Sequence, residues 1–457
     1  MSIMKISLKI DGAVLLIALL TILPLIGPAC SRLASRNGES VGQKSTAKRA
    51  GGPGGSFESV TGRGYFDVPA ITMPPKGKSF KDPNFHTTIT RITDKKKDRY
   101  VDPGIENEYA KADPENCDGT LLILRGNTAA WYLYDLKTYK KLRQLKVFDN
   151  CGQEPEPRWD PSNPKLFYYL CNMELKSYDV DTKASVTIHD FKKDVRSGEY
   201  LTTGSEGDAS LDRRYWSFIV KDEDWKLKAV LVYDKESDEV IGRKSSGFPD
   251  TINWVGMDMS GNHCVVGYDE LLYPHIFSKD LKTKIALPKG SSGHGDLART
   301  VDGKDVLVYQ NVATDFIAMS DLDTGKETPL VKIPFIVNAD IGLHFSGNCD
   351  KAPGWVLVST YGSKNLPPDK KKHSWMDTQL FMVELKQNPA IWRIAHTHSF
   401  TSVEYSGEKN YFAEAFAAIN TDGTRIYFGS NWGRVVTDYT EVYQVKLPDN
   451  WAGHMPK

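Results

Sequence analysis

Among the residues of this 457-residue chain able to ligate a metal or move a proton, several share a position in the sequence pattern. His294 and His344 each open a β-rich run, as does Glu414, while His396-Thr397-His398 closes one. Imidazoles and carboxylates gathered at one point can ligate a divalent cation or move a proton. We expect His294, His344 and Glu414 as the metal set and His396 or His398 as the proton acceptor. Glu108, Glu206, Tyr361, Lys371 and Trp432 are the expected ligand contacts. The lysine runs Lys95-Lys96-Lys97 and Lys370-Lys371-Lys372 would raise the local concentration of an anionic ligand. Each also has a structural reading: solvated loops for the lysines, a buried pair for His396 and His398, and blade packing for Trp432.

Such residues lie far apart in sequence, so the elements that carry them must bring them together. A turn flanked by β-rich runs recurs seven times: at 116–120, 160–163, 211–214, 259–262, 301–304, 348–350 and 420–424. Asp-Gly between such runs is a hairpin signal. A third run follows each pair, as in WYLYDL, AVLVYD and LFMVEL, and several continue into a fourth. From Phe85 to Leu447 each unit takes roughly 52 residues, the signature of a propeller blade with four antiparallel strands. The seventh unit ends at its third strand, 442–447, and 87–93 is a spare strand at the other end. The fold class is therefore all-β, a seven-bladed propeller closed by the N-terminal strand pairing with the C-terminal one, which leaves no open edge.

With strands lettered A to D from the channel outward, the D–A and B–C connections share one face, here called upper. The A strands are expected to start there near Glu108, Glu156, Glu206, Asn253, His294, His344 and Glu414. Tyr361 and Trp432 end B strands on the same side.

Lys+Arg and Asp+Glu both total 58, so net charge is zero and nucleic-acid binding by bulk positive charge is excluded. That zero is a sum of unlike parts. Residues 1–58 carry four more basic than acidic side chains, and 59–457 carry four fewer. Lys5 and Lys9, the apolar run 13–26 and Gly27-Pro28-Ala29-Cys30 describe a signal peptide over 1–30, either ordinary or of the lipoprotein kind. Residues 31–80 read as a flexible tether and N-terminal arm, and 81–450 as the propeller. The expected location is extracytoplasmic, as a periplasmic, secreted or outer-membrane lipoprotein form, with any membrane attachment through the N-terminus alone. Of the cysteines after Cys30, none stands in a C-x-x-C pair, so a zinc knuckle is unsupported.

Several stretches resemble the secreted bacterial propellers that include the oligogalacturonate lyases and, more loosely, the propeller ulvan lyases. They are Asp82-Pro83 leading to Thr90-Arg91-Ile92-Thr93-Asp94, Gly293-His294-Gly295-Asp296, Gly354 to Ser359, Asn420 to Arg425, and Phe428 to Trp432. The resemblance implies β-elimination on uronate chains, with a metal or an arginine neutralising the carboxylate and His294 at a metal-ligand position. The chain departs from that family's Gln-x-x-His-x-His run, where it has Tyr411-Phe412-Ala413-Glu414-Ala415-Phe416. The expectation is an exported propeller binding an anionic glycan, acting on it as a lyase with one divalent metal ion. The alternative is a non-catalytic propeller for a protein partner or envelope glycan.

Overall fold

The computed structural model describes residues 46–50, 57–249, 251–268, 273–335, 341–362, 373–401, 411–434 and 439–455. The chain divides into a unit of residues 1–42, which lies outside the described residues together with the expected signal segment, and a unit of 43–457. Among the described residues no helix is long and apolar enough to cross a membrane.

The larger unit is a seven-bladed β-propeller of four-stranded antiparallel blades. Blade three, for example, runs from Tyr200–Thr202 through Tyr215–Lys221 and Leu227–Asp234 to Glu239–Lys244. Period-two alternation explains how blades pack, because successive side chains of a strand leave on opposite faces. In the B strand Asp305–Asn311, Leu307 and Tyr309 face blade four, while Val306 and Val308 face blade six. Seven apolar clusters result, each bridging two neighbouring blades, the last joining Tyr427 and Val442 of blade seven to Leu122 and Leu124 of blade one.

The A–B turns hold by side-chain acceptors. Asp258 Oδ1 accepts from the amides of Asn262 (2.7 Å) and His263 (3.0 Å). In the two Asn-x-Asp-Gly turns the acceptor is the leading asparagine. Asn116 Oδ1 takes the amides of Thr120 and Leu121, and Asn420 Oδ1 those of Thr424 and Arg425.

Thr88–Arg91 supplies the outer strand of blade seven, pairing with Tyr443–Lys446, so both termini close the ring as the strand count requires. Ser79–Lys81 adds a further strand outside it. On blade six, Phe57–Thr61 pairs with the outer strand Ile391–His396, and Thr46–Ala50 pairs outside that. The N-terminal arm thereby covers a strand edge that would otherwise face solvent.

Candidate functional site

Four blades meet at the upper part of the channel. His344 lies on the A strand Gly342–Ser346 of blade six, and Tyr361 ends the paired B strand opposite Gly342. A Cβ on Gly342 would stand 2.2 Å from the Tyr361 ring, so only glycine lets that ring lie across the strand. There it stacks on the His344 imidazole, centroids 4.7 Å apart and 22° from parallel. Phe416 (4.6 Å) and Tyr109 (5.4 Å) close further sides of the same imidazole. His294 stacks at 6.4 Å from a bulge in the A strand of blade five, where the register shifts between Ser291 and Gly295. Bulges commonly re-aim side chains beside sites.

Glu414 meets His344 from blade seven, its Oε2 3.5 Å from Nε2, with both side chains 3% exposed. The turn that delivers it carries two successive non-glycine residues in the left-handed region, Ala415 (φ 72°) and Phe416 (φ 42°). That conformation costs on the order of 1–3 kcal/mol per residue and persists only where surroundings enforce it. Asn107 enforces it here, its Nδ2 donating to the Phe416 carbonyl at 2.6 Å.

A charged network lines the adjoining channel wall. Lys111 Nζ is 2.8 Å from Glu206 Oε2 and 3.8 Å above the Trp254 ring. Arg158 Nη1 donates to Glu108 Oε2 at 2.5 Å and its Nη2 to the Gly207 carbonyl at 2.8 Å. Burial pushes the Glu108 carboxyl up to about 7 despite Arg158. It does the same to Asp296, up to about 7, against the pull of Lys111 and the Gly347 and Leu297 amides. The Tyr109 hydroxyl is held well above its ordinary value by burial and then by Glu206.

Asp296 has a consequence for stability. Its folded value lies above the unfolded one, so the protonated carboxyl stabilises the fold below about pH 4 and that stability is lost as pH rises through about 7. Asp296→Asn is therefore expected to exceed wild type in melting temperature by more at pH 8.5 than at pH 5. Thermal denaturation at the two pH values checks this; an unchanged difference would place the ionised carboxylate at no cost in the channel.

The cluster brings together His294, His344, Glu414 and Tyr361, with Glu206 and Glu108 in the adjoining wall. It does not include the other expected residues. His396 is fully buried on the outer strand of blade six, between Gln379 (Nε2 to Nδ1, 2.8 Å), Asn84 (3.0 Å) and the Phe85 ring (4.9 Å). Burial lowers it to about 3 and His398 to about 4. His398 stacks on Trp432 at 4.2 Å, and Trp432 donates its Nε1 to the Ile71 carbonyl and stacks on Tyr443. Asp82 ties the arm to this region, accepting from the amides of Asn84, Phe85 and His396. Lys371 lies outside the described residues. Lys96 and Lys97 are exposed in the single helical turn Lys95–Asp98, where Asp94 caps both amides.

Among the described residues no three His, Cys, Asp or Glu side chains form a cation-binding group. His344 and Glu414 are neighbours, and the His294 ring centroid lies 6.4 Å from that of His344. A tetrahedral site needs converging donors at about 2.0–2.2 Å. As placed, the trio is not drawn together into a cation-binding group, and the chemistry below is derived without a cation.

Sequence reasoning did not single out Tyr109, Phe416, Lys111, Arg158 or Asp296 as site residues. Alternation offered a signal for two of them: Asp296 follows His294 by two residues and Arg158 follows Glu156 by two, so each shares a strand face with an expected residue.

No family model matches the chain, and no curated protein matches it. Among solved structures it is similar to the oligogalacturonate lyase of Vibrio parahaemolyticus, at 14% identity over 82% of this chain and 97% of that one, with a TM-score of 0.54. The WD40 repeats of RRP9 match at 9% identity over 81% of this chain and all of theirs, with a TM-score of 0.44. At these identities the likeness is one of fold.

Proposed function

We propose that the upper channel mouth binds an acidic glycan and acts on it as a lyase by β-elimination, with the His344–Glu414 pair moving the proton. The observation that carries this reading is the pair itself, a carboxylate 3.5 Å from an imidazole enclosed by Tyr361, Phe416 and Tyr109. Glu414 orients His344, which takes the proton beside the uronate carboxylate. The bond to the leaving glycosidic oxygen breaks as the carbon–carbon double bond forms. Tyr109, kept protonated by burial, donates to that oxygen. Lys111, steadied over Trp254, faces the uronate carboxylate once Glu206 yields it. The Cys151–Cys171 disulfide supports an extracytoplasmic setting, where such polymers are met.

The test is incubation with polygalacturonate, alginate, hyaluronan and ulvan, following ultraviolet absorbance of the unsaturated product. A rise with one of them is expected. Flat traces with a folded protein would overturn the lyase, and calorimetric binding in their presence would leave a propeller that only recognises the polymer. Dialysis against EDTA is expected to change the rate less than about twofold, since no step passes through a cation; a loss restored by added metal would contradict the assignment.

A further inference from the structure

Four aromatic side chains among the described residues are exposed: Trp225 (45%), Tyr273 (40%), Phe335 (43%) and Tyr411 (52%). All four stand in B–C or D–A connections, and therefore on the upper face that holds the channel mouth. They belong to four different connections. A stable protein interface buries about 800 Å² per partner and clusters its aromatic anchors at the centre. Single flat rings among charged side chains suit instead a sugar ring, which has an apolar C–H face and a polar hydroxyl edge.

Trp225 is the best built of them. Its indole stacks on Tyr200, centroids 5.1 Å apart and 12° from parallel. It sits at φ 61°, unusual for a bulky residue, at the tip of a tight loop. Asp222 fixes that loop: its carbonyl accepts the Trp225 amide at 2.9 Å, and its Oδ1 accepts the amides of Asp224 (3.0 Å) and Lys226 (2.9 Å). Lys228 pairs with Asp222 Oδ2 at 2.7 Å. Tyr200 also packs closely on Gly152, where a Cβ would stand 2.7 Å from its ring, next to the Cys151–Cys171 disulfide. The exposed Asp224–Lys226 pair beside the indole offers both a hydroxyl acceptor and a donor.

We infer that the Trp225–Tyr200 stack is an outlying subsite for a further sugar unit of an acidic polysaccharide whose reacting unit occupies the channel mouth. This rests on the glycan reading above. A long chain then touches blade three as well as the mouth, while a short oligomer reaches the mouth alone.

The experiment is calorimetry with the four uronate polymers and with trisaccharides of the same sugars, using wild type, Trp225→Ala, Trp225→Phe and Lys111→Gln. Trp225→Ala is expected to weaken polymer binding about tenfold and trisaccharide binding less than about twofold, with Trp225→Phe recovering most of the loss. Trisaccharide binding with polymer affinity unchanged in Trp225→Ala would overturn the subsite and leave the channel reading standing. Polymer binding that depends on Trp225 but is indifferent to Lys111→Gln, which removes the cation assigned to the uronate carboxylate, would overturn the channel reading and keep the subsite. No binding by wild type would overturn both.

Discussion

Glu441→Ala is expected to destabilise the propeller by about 3–5 kcal/mol, the range found when one partner of a buried ion pair is removed. Glu441 has no exposed surface and sits where the two ends of the chain join. Its Oε1 accepts from Arg91 Nη2 (2.9 Å), the Lys95 amide (3.0 Å) and the Tyr439 hydroxyl (3.0 Å), and its Oε2 from Thr93 Oγ1 (2.5 Å). Arg91 is 4% exposed, and alanine would leave its charge facing the partly exposed Asp94 at 3.5 Å in place of the buried carboxylate. All the lost contacts except that to Tyr439 bind the closing segment, so the damage falls on ring closure. At about 2.1 cal/mol/K per residue over the propeller, the melting temperature should fall by roughly 4–6 °C. Proteolysis should then begin near 79–93, the strand released first. A fall of less than 1 °C would mean that the apolar faces of blades seven and one hold the ring without the ionic clasp. Glu441→Gln, which keeps the acceptor, should lose less.

His344→Gln is expected to lower turnover on the susceptible polymer by about 10²–10⁴-fold, the usual contribution of a positioned general base, with KM nearly unchanged. Glutamine keeps the volume within the aromatic enclosure and a hydrogen-bonding end towards Glu414, so the fold should survive; the melting temperature checks that. Glu414→Gln removes the charge but not the contact and should cost less, acting through the orientation of His344. A His344→Gln enzyme within threefold of wild type would reduce the pair to a structural contact between blades six and seven. By contrast, His396→Gln should leave turnover intact, because His396 is enclosed by Gln379, Asn84 and Phe85 on an outer strand.

The contrast between these histidines shows what sequence carries and what it does not. Strand alternation, turn chemistry and the count of strands are local, and each leaves a repeating trace. The seven Asn/Asp-bearing turns, the spare strand before Ile92 and the absent last strand of blade seven were all legible for that reason. The same reasoning placed His294, His344, Glu414 and Tyr361 at channel-facing starts and ends of strands, and they do meet.

It also placed His396 and His398 at an upper strand end, which is true of the chain but not of their surroundings. What encloses His396 is the arm through Asp82, Asn84 and Phe85, whose path over blade six follows no periodicity, while Trp432 of blade seven covers His398. Nor does any local pattern state that burial would raise Glu108 and Asp296 to about 7. The sequence by itself thus determined the propeller, its closure and which residues begin the channel strands, because period-two burial and turn formation act between near neighbours. Only the tertiary structure decided that His344 meets Glu414 within an aromatic enclosure, since distances, dielectric surroundings and charge pairing arise between blades tens to hundreds of residues apart.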